Sequence, residues 1–246
     1  MSLLELEGVH KSRWRGPHRV VVLDGIDLVI DAGELVAVWG SRGTGKTTLA
    51  QIAAGLEAPD DGTARFDGSD LAKLSRRALA RLLLSEVGWA QRVGPVDEEF
   101  QMLDYVAVPL LAACGPCQAR RGASGALAQV GLRGCGEKRW AELTDGERTL
   151  AAIAHALVRN PRLLVVDDPT ANLDMIDSRA VMGLLHSLAE DAGLGVLVTV
   201  PDMSDMLQAH RIASLSEGRL LVPSEPQAPF EDGGEVIELP VRQRSA

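Results

Sequence analysis

Eight residues in the first quarter of the chain have the types and spacing for one particular chemistry. Gly40-Ser41-Arg42-Gly43-Thr44-Gly45-Lys46-Thr47 fits G-x-x-x-x-G-K-[ST]. Glycines remove Cβ atoms, so backbone N–H groups can converge on phosphate oxygens. In this pattern Lys46 reaches the β and γ phosphates of a nucleotide, and the Thr47 hydroxyl ligates Mg²⁺. A helix beginning at Lys46 adds its positive N-terminal end. The nucleotide contacts expected here are Gly40, Ser41, Arg42, Gly43, Thr44, Gly45, Lys46, Thr47 and Thr48. A chance match in a chain of this length and composition has odds of about 1–2%.

Such a loop needs an acid at the end of a neighbouring strand to hold Mg²⁺ through water. Leu163-Leu-Val-Val-Asp167-Asp168 supplies one. Asp167 directly follows the apolar run and is the metal-side candidate. Asp168 stands where a general base for an attacking water could sit. The alternative is two acids capping a turn before Pro169.

These residues must be positioned by elements that the sequence also marks. Glu34 to Trp39 is a short, mostly apolar run, as in a buried parallel strand, and leads into the glycine-rich stretch. A helix is expected from Lys46 to about Ala54. Val20 to Leu23 and Leu28 to Ile30 read as short strands separated by an Asp-Gly turn. Leu71 to Leu84 has helical spacing, and about 93–142 reads as helices with loops. Arg148 to Arg159 reads as a helix, Leu163 to Val166 as a strand, Ser178 to Ala189 as a helix and Gly195 to Val200 as a strand. Strands alternating with helices imply an α/β fold with a parallel sheet. The tail from about Pro223, rich in prolines and acids, reads as an appendage with a short strand at Glu235 to Leu239.

The chain has 246 residues, 46% of them hydrophobic but only 3% aromatic, so its core must be aliphatic. A net charge of -9 is the wrong sign for a partner that is a nucleic acid. No apolar run reaches the roughly 18–20 residues that span a bilayer. Met1-Ser-Leu-Leu-Glu lacks the layout of a signal peptide. Any membrane role is therefore expected to come through a partner. Three cysteines, Cys114, Cys117 and Cys135, do not suggest a disulfide framework. Cys114-Gly-Pro-Cys117 spells a redox motif outside its usual strand-then-helix context, and reads better as a Gly-Pro helix break. Arg76, Arg77 and Arg81 read as a solvated basic face, and Trp39 and Trp89 as packing residues.

The segment Leu143-Thr144-Asp145-Gly146-Glu147-Arg148, then Ala154-His-Ala-Leu157, Asn160-Pro161, Asp167-Asp168-Pro169-Thr170 and Asn172-Leu173-Asp174 resembles the signature-to-Walker-B block of ATP-binding cassette (ABC) proteins. Leu71-Ala-Lys-Leu-Ser75 and Val106-Ala-Val-Pro-Leu-Leu111 resemble the branch that serves lipoprotein release, macrolide export and cell division. The resemblance covers about 1–222. It implies a P-loop ABC nucleotide-binding domain: a mixed-β N-terminal lobe, a RecA-like core and a helical lobe inserted at about 92–145. Residues 223–246 are left as a C-terminal appendage. It further implies ATP and Mg²⁺, and a location at the cytoplasmic face of a membrane beneath a separate permease. ATP would lie between the loop of one subunit and the signature of another, with Thr144 and Gly146 on the signature side.

The chain departs from that family pattern at five places. Asp168 stands where a catalytic glutamate is usual, one methylene shorter. Pro201 stands where a switch histidine is usual. Asp145 replaces the first glycine of the signature. Counting from Gly88 places the metal-linked glutamine at Arg92, with Gln91 one residue early; Gln91 is the candidate ligand. Arg13 stands in the usual place of the adenine-stacking aromatic, and Trp14 follows as the stacking candidate. Together they imply an ATP-binding subunit whose hydrolysis is impaired. A heterodimer with a second, intact ABC ATPase is favoured over a homodimer. The alternative is a non-catalytic, ATP-gated scaffold or regulatory subunit.

Overall fold

The computed structural model describes residues 2–91 and 96–221. Arg92 and the appendage from 223, including the strand expected at 235–239, lie outside the described residues. The chain order is β1 (Ser2–Arg15), β2 (His18–Asp31), β3 (Leu35–Trp39), α1 (Lys46–Ala53), β4 (Asp61–Phe66), β5 (Ser69–Asp70), α2 (Arg76–Glu86), β6 (Val87–Gln91), α3 (Met102–Ala107), α4 (Pro116–Gln129), α5 (Asp145–Leu157), β7 (Leu163–Asp167), α6 (Met175–Ala192), β8 (Gly195–Val200), β9 (Arg211–Ser216) and β10 (Arg219–Leu221). The fold is α/β, with two sheets.

The smaller sheet is antiparallel, in the order β2-β1-β4-β5. The two short runs expected at Val20–Leu23 and Leu28–Ile30 belong to one bent strand. Asp24-Gly25 makes a bulge there rather than a turn. The register slips between Val9↔Ile26 and Lys11↔Leu23, and Gly25 takes φ +68. Beyond the bulge Ile26, Leu28 and Ile30 alternate inward. β4 is not among the strands expected from the sequence; Ala64 and Phe66 are its inward pair.

The larger sheet runs β10-β9-β3-β8-β7-β6, parallel except for its last hairpin. Its apolar strands are buried on both faces, which is why they read as continuous runs rather than alternating ones. One face packs Val36, Val38, Leu163, Val165 and Leu197 against α1 and the smaller sheet. The other packs Leu35, Ala37, Leu164, Val166 and Val198 in a core shared with α3, α4, α5 and α6. The helices within 92–145 thus share this second core.

Helix ends follow side-chain capping rather than apolar spacing. The stretch 71–84 is not one helix. Leu71–Lys73 forms a 3₁₀ turn, Leu74 is extended, and the Ser75 hydroxyl accepts from the Ala78 amide at 3.2 Å to start α2. α5 starts at Asp145, three residues before the expected Arg148. There Thr144 and Glu147 cap each other, each side chain accepting from the other's amide at 3.1 Å. α6 begins earlier than expected because Asp174 accepts from the Ile176 and Asp177 amides.

The approach of β6 to α5 depends on Gly88. A Cβ there would lie 2.7 Å from the Ala156 carbonyl oxygen and 3.0 Å from Pro161 Cγ. The near atom is backbone and cannot swing aside. Gly88→Ala should destabilise the chain by about 1–3 kcal/mol, lowering Tm by roughly 2–4 °C per kcal/mol in a thermal melt.

Candidate functional site

The strand registers place Gln91, Asp167, Thr199 and Val38 side by side in one row across β6, β7, β8 and β3. The row lies at the C-terminal ends of the parallel strands, where open α/β sheets bind ligands. Residues 40–45 continue from β3 at that end and turn into α1.

Close packing shapes the loop. Gly45 takes φ +106 as the N-cap of α1, and a Cβ there would meet Val22 at 2.9 Å. A Cβ on Gly40 would lie 2.6 Å from the Leu215 carbonyl. The cradle is therefore held between β2 and β9 at a separation only glycine permits. Thr44 closes the loop on itself, its hydroxyl donating to the Ser41 carbonyl at 2.9 Å. Ser41 and Arg42 are exposed, and Thr48 is buried. Lys46 is only 7% exposed, and its ammonium donates to the Gly40 and Ser41 carbonyls. Neither of those acceptors is a carboxylate.

Asp167 is the centre of the row and is 8% exposed. Thr47 Oγ1 donates to its Oδ2 at 2.8 Å, from α1. Thr199 Oγ1 donates to its Oδ1 at 2.7 Å, from β8. The Asp168 amide donates back to Thr199, to its Oγ1 at 3.0 Å and its carbonyl at 3.1 Å. Asp168 itself takes φ +57, a left-handed conformation that Asp tolerates better than most residues. Each Asp167 oxygen accepts one hydroxyl and keeps a second lone pair. The oxygen set of Thr47 and Asp167 suits a hard divalent cation. Thr199 was not singled out from the sequence. Its signal was a lone hydroxyl inside Gly195–Val200, a strand buried throughout.

Gln91 ends β6 as the register neighbour of Asp167 and is exposed. Trp14 is 73% exposed on β1, paired across the hairpin with Arg19. Arg13 beside it is tied to Glu57. Trp39 is partly buried, and its indole N–H donates to the Pro201 carbonyl at 3.2 Å. The Arg76, Arg77 and Arg81 face is exposed on α2, as expected.

Thr144 and Gly146 form a second grouping at the start of α5. The Thr144 hydroxyl is engaged by Glu147, and a Cβ on Gly146 would lie 2.8 Å from Asp177 Oδ2. Asp145 is exposed and pairs with Arg148 at 3.2 Å. A cleft lined by Gln91, Asp145, Arg148, Asp167, Asp168 and Asn172 joins this end of α5 to the carboxylate strand.

Two other clusters do not form sites of this kind. Cys114 lies before the N-cap Gly115 of α4, its thiol on the Leu110 carbonyl, and all three cysteines are free. His186 and Glu190 on α6 cluster with His210, the residue before β9. The Leu35 amide donates to His210 Nδ1 at 2.9 Å, which leaves the proton of neutral His210 on the Nε2 facing Glu190. That nitrogen then has no lone pair for a metal.

A model of the family described as ABC transporter matches residues 23–171. The chain belongs to this family. The lipoprotein-releasing system ATP-binding protein LolD of Chromohalobacter salexigens is 36% identical over 219 residues, 89% of this chain and 92% of that one. LolD of Pseudomonas fluorescens is 36% identical over 221 residues, covering 89% and 97%. Among solved structures, the ATP-binding cassette MJ0796, a dimer in a post-hydrolysis state bound to ADP and phosphate, superposes with a TM-score of 0.79. It is 26% identical and covers 88% of this chain and 96% of its own. This chain is thus an ABC transporter ATP-binding domain. No helix of its described residues is long and apolar enough to cross a membrane.

The start of α5 in this ABC domain carries a pH signature. Lys138 donates to Glu147 at 2.5 Å and holds that carboxyl below its ordinary 4.5, against partial burial and with help from the Thr144 amide. A depressed carboxyl pKa stabilises the fold above about 4.5 and loses that contribution as pH falls through the lower folded value. Glu147→Gln should therefore lower Tm at pH 6, and the difference from wild type should shrink as pH falls below about 4.5 through the lower folded value.

Proposed function

We propose that this chain binds Mg-ATP on the Gly40–Thr48 loop but hydrolyses it slowly, and works as one half of an ATPase pair beneath a separate membrane permease. The observation that carries this reading is the contrast between a complete cradle and altered chemistry around it. The cradle has its glycines, the buried Lys46, and the Thr47–Asp167 pair. The neighbouring positions hold Asp168, Pro201 and Asp145.

On this reading the loop amides and Lys46 hold the β and γ phosphates, and Trp14 stacks on the base. Thr47, Asp167 and Gln91 would hold Mg²⁺, which would supply neutralisation of charge on the phosphates. Asp168 orients the attacking water from a carboxylate one methylene too short. A displacement of about an ångström costs on the order of 100-fold in rate. Pro201 offers no side-chain hydrogen bond to the γ-phosphate. Its carbonyl faces the Trp39 indole instead.

The signature face supports an unequal pair. Thr144 and Gly146 are retained, but Asp145 and Asp177 place two carboxylates at the start of α5. A phosphate presented there by a partner would meet like charge. A second, intact ABC ATPase as partner, forming a heterodimer, accommodates this better than a homodimer. Residues 1–222 would form the nucleotide-binding domain, with a helical lobe at about 92–145 and an appendage from 223. The domain would sit at the cytoplasmic face. The likeness to lipoprotein-releasing ATP-binding proteins favours a permease of that class.

Steady-state phosphate release tests this reading. The wild-type chain should turn over slowly, Asp168→Glu should raise kcat at least tenfold, and Lys46→Ala should lose ATP binding. Wild-type turnover equal to that of Asp168→Glu would overturn it.

A further inference from the structure

We propose that Thr199 is a positioning residue for the metal–nucleotide site: its hydroxyl fixes the Asp167 carboxylate in the orientation that accepts Mg²⁺. This rests on the reading of Thr47 and Asp167 as the metal-side pair.

Packing alone does not call for a hydroxyl here. Thr199 is 0% exposed, and the other residues of β8 are Gly195, Val196, Leu197, Val198 and Val200. Valine has the same shape and would fill the position without a polar atom to satisfy. The hydroxyl instead uses both of its capacities. It donates to Asp167 Oδ1 at 2.7 Å and accepts from the Asp168 amide at 3.0 Å. Thr47 grips the other carboxylate oxygen at 2.8 Å.

Two hydroxyls from two elements thus hold one carboxylate at both oxygens. With Thr47 alone, the group could pivot about that single bond. With both, its plane is fixed. The β-branched threonine is itself stiff at χ1, so the constraint passes from the sheet backbone to the carboxylate with little slack. The Asp168 amide also bonds the Thr199 carbonyl at 3.1 Å. Losing the hydroxyl therefore falls mainly on Asp167. Partners of this kind, one shell out from a metal, typically contribute 10–100-fold to metal affinity.

The test uses the full chain and the fluorescent nucleotide mant-ATP, titrated in excess EDTA and again in MgCl₂. The readout is the ratio of the two Kd values. Thr199→Val should reduce that ratio about tenfold and leave the EDTA affinity within about twofold of wild type. Thr199→Ser, which keeps the hydroxyl, should restore the ratio to within about twofold. If the valine chain does not fold, Thr199→Ala makes the same comparison with only a small void. A valine or alanine ratio equal to wild type would overturn the inference. So would an equal loss of affinity with and without Mg²⁺, which marks a general disturbance. A wild-type chain that binds mant-ATP equally in EDTA and MgCl₂ would overturn the metal reading itself.

Discussion

Asp167 is gripped from two sides, by Thr47 at the start of α1 and by Thr199 on β8, and three parts of the chain separated by long stretches of sequence meet in those two hydrogen bonds. The glycine loop can only cradle phosphates if α1 starts in register with the carboxylate strand. β8 lies between β3 and β7 and sets that spacing. The row Gln91, Asp167, Thr199 and Val38 is the edge on which every other feature of the site is aligned. A shift of one residue in β7 would turn Asp167 toward the opposite core, and a shift in β8 would do the same to Thr199; either would end the arrangement.

The binding half and the chemical half of the site follow different rules. The loop admits no side chain at Gly40 or Gly45, because both lie against backbone oxygens, of Leu215 and Val22. Asp168 and Asp145 stand under looser packing, since Asp168 sits half-buried in a left-handed turn and Asp145 is exposed in the first turn of α5. Asp145 even suits the helix, because a carboxylate near an N-terminus is stabilising. The same charge would be unfavourable for a phosphate presented there by a partner. On the proposed reading, features that stabilise this fold would work against turnover at the site and for retention of nucleotide.

Much of the candidate site was legible in the sequence because its residues are local. Gly40 to Thr47 is a contiguous motif, and Asp167 announces itself by ending an apolar run. Thr199 was not legible, because its role depends on register between β7 and β8, a long-range property. The parallel core strands were readable from their apolar runs. The unbroken β2 was hidden by Asp24-Gly25, which reads as a turn but forms a bulge when a neighbouring strand is there to pair. The true start of α5 was encoded in Thr144 and Glu147, a capping pair that outweighs apolar spacing. The break before α2 was likewise encoded in Ser75.

On the proposed reading the chain hydrolyses its bound ATP slowly. A single-turnover chase with γ-³²P-labelled ATP, with the chain in excess over nucleotide and Mg²⁺ present, measures this directly. The account predicts that nucleotide recovered from the protein is still mostly ATP after many turnover times of an intact ABC ATPase. Recovery as ADP and phosphate within one such turnover time would contradict it.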